Sequence, residues 1–212
     1  MGREKEQAQE IADTCSRLDV QTICETADLS DAAGLEGLIG RLAGLPVQIE
    51  YVFNNAGISP GSGKVWNASV NDLTKSYAVN TIAPIRISQA LIPAMLERGS
   101  GRVIMISSSI QRRPEEIAYA CSKAALDKFV HDVSAGLKGT GVGMSIVDPG
   151  WVRTDMGGAS APNPVESVIP GTLLGAILPG DFNGCWFMAQ DYKGMSLSEA
   201  MAGASFYCED ED

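Results

Sequence analysis

The chain has 212 residues, 45% of them hydrophobic and 20% charged, so it can bury one sizeable core and is predicted to form a single globular domain. Its 16 basic and 26 acidic residues give a formal net charge of −10, which argues against nucleic acid and anionic membranes as partners. The N-terminus is too charged for a signal peptide, and no apolar run approaches the ~20 residues of a membrane-spanning helix. We therefore expect a soluble, cytoplasmic protein.

Apolar residues at helical spacing predict a first helix over residues 4–18, and the β-branched sequence VQTICETA predicts a strand over residues 20–27. A second helix is predicted to begin at an N-cap of Ser30 or Asp31. A short apolar strand, IEYVF at residues 49–53, then runs directly into the sequence NNAG. The chain thus begins with alternating helices and strands.

The alternation continues to the C-terminus. The predicted elements are helices over 67–77 and 81–98, a strand over 101–107, a helix over 118–138, a strand over 142–148, a short helix over 165–178 and a strand over 185–191. This order is typical of an α/β fold with a parallel sheet between two layers of helices, in which ligands bind beyond the carboxyl ends of the strands. The terminal EDED is interpreted as a solvated tail.

The five cysteines are odd in number and widely scattered, and no two form a CxxC pair. This pattern predicts neither a disulfide framework nor a zinc site, so we expect reduced, mostly buried thiols and no metal. The single histidine, His131, excludes any site that requires two imidazoles and is interpreted as structural.

Three polar or glycine-containing segments, NNAG, ISSS and DPGWVRT, follow predicted strands and therefore converge on one edge of the sheet. The helix that carries Tyr119 and Lys123, one turn apart, begins shortly after the serines. Each segment alone has an ordinary structural explanation, because Ser-rich strand ends and Pro-Gly are common turns and i,i+4 pairs are common on helix surfaces. Together they favour a binding cleft.

The segments NNAG, VN before TIAPI, ISS, YACSK and PGWVRTDM resemble the motifs of the short-chain dehydrogenase/reductase family in order and in approximate spacing, and PGWVRTDM resembles its carbonyl-reductase-like branch. The match runs through nearly the whole chain. The resemblance implies a Rossmann-like doubly wound parallel sheet. It also implies an NAD(P)-dependent oxidoreductase that interconverts a small-molecule carbonyl and a secondary alcohol.

The resemblance assigns catalytic roles to four residues. Tyr119 would give a proton to the carbonyl oxygen, or remove one in the reverse reaction. Lys123 would lower the pKa of this phenol through its positive charge and hold the nicotinamide ribose. Ser108 would hydrogen-bond to the substrate oxygen, and Asn80 would bend its helix and hold a water that links Lys123 to solvent.

The segment between Ser108 and Tyr119 is shorter than is usual in the family, so Ser107 or Ser109 can take the place of Ser108. The short segment also excludes the long insertion that blocks oligomerisation in monomeric carbonyl reductases. A homo-oligomer formed through the helices of Asn80 and Tyr119 is therefore expected.

The resemblance implies NADP or NAD as the cofactor, with NADP slightly favoured by a basic residue, Arg3. The implied cofactor-binding residues are Asp28 at the adenine, Asn55, Ala56 and Gly57 at the adenosine ribose, Pro149, Gly150, Val152 and Thr154 at the nicotinamide, and Tyr119 and Lys123. Residues 155–178 would form the substrate lid, which is expected to line a largely apolar pocket.

The family's glycine-rich turn, with the strand before it and the helix and strand after it, has no counterpart in the sequence. Residues 1–212 are therefore interpreted as a single N-terminally truncated domain that lacks the first two strands and the helix between them. The pyrophosphate site at that turn would be lost. The strands at 20–27 and 49–53 would be separated by about 10 Å, two strand spacings.

Two hypotheses follow. The first is an active NAD(P)-dependent reductase or dehydrogenase. The second is a catalytically inactive, truncated relative that acts as a binding or regulatory partner, in a hetero-oligomer with a full-length paralogue.

Overall fold

The computed structural model of the chain describes residues 5–61, 63, 65–109 and 116–208, and the side chains of 5–8 and of Val65 are not described. The predictions made for Arg3, for residues 110–115 and for the terminal EDED lie outside the described residues. The chain divides into two compact units, Met1–Val47 and Gln48–Asp212.

Within residues 5–47, the first unit contains two helices, α1 (Lys5–Arg17) and α2 (Ala32–Ala43). Of the two N-cap candidates for α2, Asp31 takes the position: its carboxylate accepts a hydrogen bond from the Gly34 amide at 2.7 Å. This bond satisfies one of the amides that have no partner within the first turn of a helix. Both helices were predicted from the spacing of apolar residues.

The strand predicted over residues 20–27 does not form, and only Thr26 makes a β-bridge within this segment. The end of the segment is instead bound to α2 by Arg41, which pairs with Glu25 at 2.5 Å and donates to the Thr26 carbonyl at 3.0 Å. Val20 and Ile23 are 52% and 57% exposed. The prediction was wrong because β-branched residues form a strand only where a neighbouring strand takes up their backbone hydrogen bonds.

The second unit is built on a five-stranded sheet with the order β1-β2-β3-β4-β5. The strands are β1 (Tyr51–Asn54), β2 (Gly101–Ile106), β3 (Val142–Asp148), β4 (Cys185–Met188) and β5 (Tyr207–Cys208). The first four are parallel and β5 is antiparallel to β4. The predicted α/β fold with a parallel sheet is confirmed.

Five α-helices are present among the described residues that follow Val47. They are α3 (Val70–Tyr77), α4 (Ala83–Arg98), α5 (Ile117–Leu137), α6 (Leu174–Ile177) and α7 (Leu197–Ala202). A π-helical segment, Ala78–Ile82, joins α3 directly to α4. None of the helices in the described part of the chain is long and apolar enough to cross a membrane.

Both faces of the sheet are covered around its central strands. In β2, Ile104 and Ile106 belong to a core cluster with Leu174 and Leu178, which lie in α6 and directly after it. Val103 is only 1% exposed, although alternation along a strand directs its side chain to the opposite face. Burial on both faces explains why β2 and β3 are nearly continuous apolar runs.

Cys185 and Cys208 form a disulfide bond, which corrects the prediction of reduced thiols for this pair. The two residues face each other directly in the antiparallel β4–β5 pair, a position that brings side chains together. Cys15 and Cys121 are partly exposed and Cys24 is exposed, so the prediction of burial was also wrong for them. The pairing was missed because β5, a strand of two residues, was not predicted.

Candidate active site

Three of the four catalytic candidates lie together where β2 ends and α5 begins. The Tyr119 side chain is hydrogen-bonded to Ser108, and the Lys123 Nζ lies 5.9 Å from the centre of the Tyr119 ring. Because one helical turn separates the phenol from the ammonium, both project from neighbouring parts of the same side of α5. The arrangement combines a proton donor, a hydroxyl partner and a positive charge.

Of the three consecutive serines after β2, Ser108 is the one that contacts Tyr119. Ser107 is buried and extends the sheet, since its amide donates to the Val147 carbonyl at 2.9 Å. Ser109 is held by Asp148, whose carboxylate accepts from its amide at 2.9 Å and also from its hydroxyl. The geometry therefore favours Ser108 over both alternatives.

Burial is the main reason that the pKa of Tyr119 lies above its ordinary value of 10. The hydrogen bond to Ser108 opposes this shift, while the carboxylates of Asp148, Glu116 and Asp127 add to it. The prediction that Lys123 lowers this pKa was wrong: the pKa is raised, and Lys123 is not among the residues that shift it. The phenol is consequently protonated at neutral pH, the state needed to donate a proton.

Lys123 is 4% exposed, and this burial lowers the pKa of its ammonium from 10.5 to about 8, against the opposing effect of Asp127. The Nζ donates a hydrogen bond of 2.6 Å to the Ile106 carbonyl at the end of β2. A buried ammonium with a pKa near 8 is a cation at neutral pH that gives up its proton readily. The side chain is thus placed beside Tyr119 at an electrostatic cost to the fold.

Asn80 occupies the π-helical segment and is fully buried. Its Oδ1 accepts from the Ile58 amide at 2.8 Å, and its Nδ2 donates to the Ile58 carbonyl at 2.8 Å and to Ser122 Oγ at 2.9 Å. Ser122 in turn donates to the Tyr119 carbonyl at 2.7 Å. The widened helix turn thereby ties the loop after β1 to the start of α5.

The NNAG segment brings Gly57 against these residues, whereas Asn55 and Ala56 are exposed. A Cβ atom on Gly57 would lie 3.4 Å from Asn80 Oδ1 and 3.7 Å from Lys123 Nζ. The Gly57 backbone therefore lies directly beside the buried amide and ammonium. A ligand can approach the backbone closely there.

The Pro-Gly turn after β3 is held by two residues that the sequence analysis did not single out. Asp148 accepts from the Gly150 amide at 2.7 Å, and Gln190 Nε2 donates to the Pro149 carbonyl at 2.7 Å. Gly150 has a φ of +70°, and a Cβ there would lie 2.7 Å from Gln190. Asp148 had a possible signal, since it opens the segment DPGWVRT, but nothing in the sequence pointed to Gln190.

Beyond this turn, Val152 is buried and bridges to Asn163, and Thr154 Oγ1 accepts from the Gly157 amide at 3.0 Å. The predicted lid, residues 155–178, consists of two parts. Its first part carries half-exposed apolar side chains: Met156, Val165 and Ile169. Its last part, with Leu174, Ala176 and Leu178, belongs to the core.

Asp28 belongs to the first unit, where its carboxylate accepts from the amide and the hydroxyl of Ser30 at 2.9 and 2.7 Å. No group of three or more His, Cys, Asp or Glu side chains suited to a metal ion occurs within 5–61, 63, 65–109 and 116–208.

Comparison with known proteins places the chain in a family. The family model for short chain dehydrogenases matches residues 1–164. The C-signal protein of Myxococcus xanthus is 31% identical over 156 residues, which cover 70% of this chain and 92% of that protein. The ketoacyl reductase HetN of a Nostoc species is 30% identical over 147 residues, or 67% of this chain and 51% of that protein.

Among solved structures, the NADPH-bound carbonyl reductase from chicken fatty liver superimposes with a TM-score of 0.76 at 25% sequence identity. The match covers 92% of this chain and 86% of that chain. This chain spans nearly all of C-signal but only about half the length of HetN. On the extent of the family match and the identity to these relatives, the chain belongs to the short-chain dehydrogenase/reductase family of oxidoreductases.

Proposed function

We propose that the chain interconverts a carbonyl and a secondary alcohol with NADP or NAD as the cofactor. The observation that carries this proposal is the Tyr119 hydroxyl, hydrogen-bonded to Ser108 and one turn before the buried ammonium of Lys123. Family membership and the NADPH-bound carbonyl reductase neighbour support it. The alternative, an inactive regulatory partner, is not favoured because the chain keeps all four catalytic candidates.

In the proposed reduction, Tyr119 donates its proton to the carbonyl oxygen as negative charge develops there. Ser108 donates a second hydrogen bond to the same oxygen, which stabilises the developing charge. Lys123 lies close enough to favour the phenolate that forms when the proton leaves. The raised pKa of Tyr119 keeps the phenol protonated at neutral pH, so the proton that the forming alkoxide needs is present.

The residues beside this site fit the nicotinamide half of a dinucleotide. Gly57 lies next to Lys123, whose ammonium would hold the ribose hydroxyls. The left-handed turn at Gly150 brings backbone groups to the same edge of the sheet, where Val152 and Thr154 would hold the carboxamide. The hydride would come from bound NAD(P)H, and the protein would supply its position.

Binding of the cofactor is tested by titrating the 212-residue chain with NADPH and with NADH and following nucleotide fluorescence. The proposal predicts saturable binding that Lys123→Ala weakens about 10- to 100-fold, since a hydrogen bond from a charged group is lost. Lys128→Ala, on the exposed side of the same helix, is the matched control. Absence of saturable binding by the unaltered chain would contradict the proposal.

Turnover is tested by following NADPH consumption with a panel of ketones. The expected result is ketone-dependent oxidation of NADPH with formation of the secondary alcohol. If the chain bound NADPH but reduced none of the ketones, the proposed chemistry would be wrong while cofactor binding stood.

We also propose that the protein assembles with further copies through the helices that carry Asn80 and Tyr119. Ile82 and Leu96, in the π-helical segment and α4, are 50% and 41% exposed, which supports an apolar contact there. Light scattering should give a mass that is a multiple of 22.4 kDa, and a monomer would contradict this assembly. A longer paralogue as the second subunit would appear as a mixed species on co-expression.

A further inference from the structure

A groove of about 740 Å³ runs along α5 on the side of the helix opposite Ser122. Ala120 and Ala124 line it, and at 3.6 residues per turn they lie about half a turn from Ser122. This volume is within the ~300–1,000 Å³ that small-molecule sites occupy. The groove is therefore large enough for a ligand other than the cofactor and is separate from the contacts of Asn80.

The far wall of the groove is the sheet surface formed by β3, β4 and β5. Ile146, Trp186, Met188 and Tyr207 contribute apolar or aromatic side chains to it. Tyr207 is 65% exposed, which is unusual for an aromatic residue in a sheet. The alanines on α5 are too short to reach across, so the space between helix and sheet stays open.

The groove ends at the candidate active site. Ser108 lines the groove and is also hydrogen-bonded to Tyr119, so one hydroxyl belongs to both. From Ala120 to Asp132, the last lining residue of α5, the helix extends about 18 Å at 1.5 Å per residue. A linear molecule with its carbonyl at Ser108 would have its chain directed along this length.

We propose that the groove holds the hydrocarbon tail of the substrate, so that the preferred substrates are carbonyl compounds with long apolar chains. This inference rests on the proposed function and deepens it. The continuity of the groove with Ser108 favours a substrate over a protein partner as the occupant. Asp127 and His131 lie along the helix side of the groove, where a polar group on the tail could be accommodated.

Burial of a hydrocarbon chain in such a groove sets a quantitative expectation. Each additional methylene group that leaves water should raise kcat/KM about fourfold, following the transfer free energy of a methylene. The gain should stop when the chain exceeds the length of the groove. A site that accepted only the carbonyl head would show no such dependence.

The experiment measures kcat/KM for the straight-chain methyl ketones butanone, octanone and dodecanone with NADPH. In the unaltered chain, the ratio of kcat/KM for dodecanone to kcat/KM for butanone should exceed about 100. Ala124→Leu places a larger side chain in the middle of the groove and should reduce this ratio at least tenfold. Ala135→Leu, at an exposed alanine of α5 outside the groove, is the matched control and should keep the ratio.

Binding of dodecanone without turnover gives a second readout. It should change the fluorescence of Trp186 in a variant whose other two tryptophans are replaced by phenylalanine, and Ala124→Leu should abolish the change. This measurement remains informative if Ala124→Leu is poorly active.

Several outcomes would overturn the inference, and they differ from failure of the proposed function. Reduction of all three ketones at equal kcat/KM would exclude the groove as a tail site while leaving the activity intact. Reduction of none would instead contradict the proposed function. A homodimer that Ala124→Leu dissociates would show that the groove is an interface between copies of this chain.

Discussion

The two sides of α5 differ in burial and in hydrogen bonding. On one side, Ser122 and Lys123 are buried and hydrogen-bonded to Asn80, the Tyr119 carbonyl and the Ile106 carbonyl. On the other, Ala124 is exposed to an open groove. A buried polar network fixes its members in one geometry, whereas Ala120 and Ala124 leave the groove open beside them. The first side is suited to proton transfer and the second to recognition of a variable group.

The largest expected effect comes from removing the proton donor. Tyr119→Phe should lower kcat for ketone reduction about 10²- to 10⁴-fold, the range typical of general acid catalysis. NADPH binding should change little, since Lys123 remains. The measurement is NADPH consumption at saturating ketone.

Tyr51→Phe removes the same hydroxyl from an exposed residue of β1 and should retain full activity. Full activity in Tyr119→Phe would show that the side of α5 with the buried hydrogen bonds does not carry out the chemistry. The functional difference between the two sides of α5 would then be contradicted.

Removing the centre of the polar network should cost stability. Asn80→Leu eliminates three hydrogen bonds and leaves both backbone groups of Ile58 without their side-chain partner. We expect the free energy of unfolding to fall by about 3 kcal/mol, as measured by urea denaturation. Asn71→Leu, at an exposed position of α3, should change it by less than about 0.5 kcal/mol. Equal effects of the two substitutions would contradict the role of Asn80.

The cost of burying Lys123 should appear as a pH-dependent stability. Its pKa in the folded state is about 8, against 10.5 ordinarily, so the unfolded chain binds the proton more tightly and the charge destabilises the fold fully below about pH 8. Lys123→Met should therefore be about 2 kcal/mol more stable than the unaltered chain at neutral pH, after allowing for the lost bond to Ile106.

This difference should narrow as the pH rises from 8 towards 10.5, because the unaltered chain loses the penalty over that interval. Urea denaturation at several pH values measures it. The Lys128 ammonium is exposed, so the difference in unfolding free energy between Lys128→Met and the unaltered chain should not change with pH. A gap for Lys123→Met that is independent of pH would indicate that the buried ammonium carries no electrostatic cost.

The smallest expected effect is a shift in the pKa of Tyr119 on replacement of the Asp148 carboxylate. Asp148 contributes to the raised pKa of Tyr119, so Asp148→Asn should move the titration of that phenol to lower pH. Phenolate absorbance, compared with a Tyr119→Phe background, follows this titration. Asp191→Asn, at an exposed carboxylate, should leave it in place. No shift in Asp148→Asn would mean that its role is limited to holding Ser109 and Gly150.

Much of this fold was predictable because its central strands are buried on both faces. β2 and β3 are apolar runs bounded by glycine or polar residues, and that pattern identifies a strand without knowledge of its neighbours. Residues 20–27 also contain β-branched residues, but no strand lies beside them within residues 5–47. The local sequence indicates a tendency to form a strand, but the strand forms only where a neighbouring strand pairs with it.

The candidate site was predictable to the extent that it depends on short motifs. Tyr119 and Lys123 meet because helix geometry fixes residues four apart, and Ser108 reaches them because β2 ends there. Gln190 is more than forty positions from the turn it supports, and such contacts leave no local signal. The groove was unpredictable for the same reason, since it arises between α5 and a two-residue strand, β5.

The central claim, that one side of α5 carries out chemistry and the other selects the substrate, is tested most directly by one assay. It measures kcat/KM for butanone and dodecanone with the unaltered chain, Tyr119→Phe and Ala124→Leu. The account predicts that Tyr119→Phe lowers both values by the same large factor, whereas Ala124→Leu lowers the dodecanone-to-butanone ratio at least tenfold. Unchanged turnover in Tyr119→Phe together with an unchanged ratio in Ala124→Leu would contradict it.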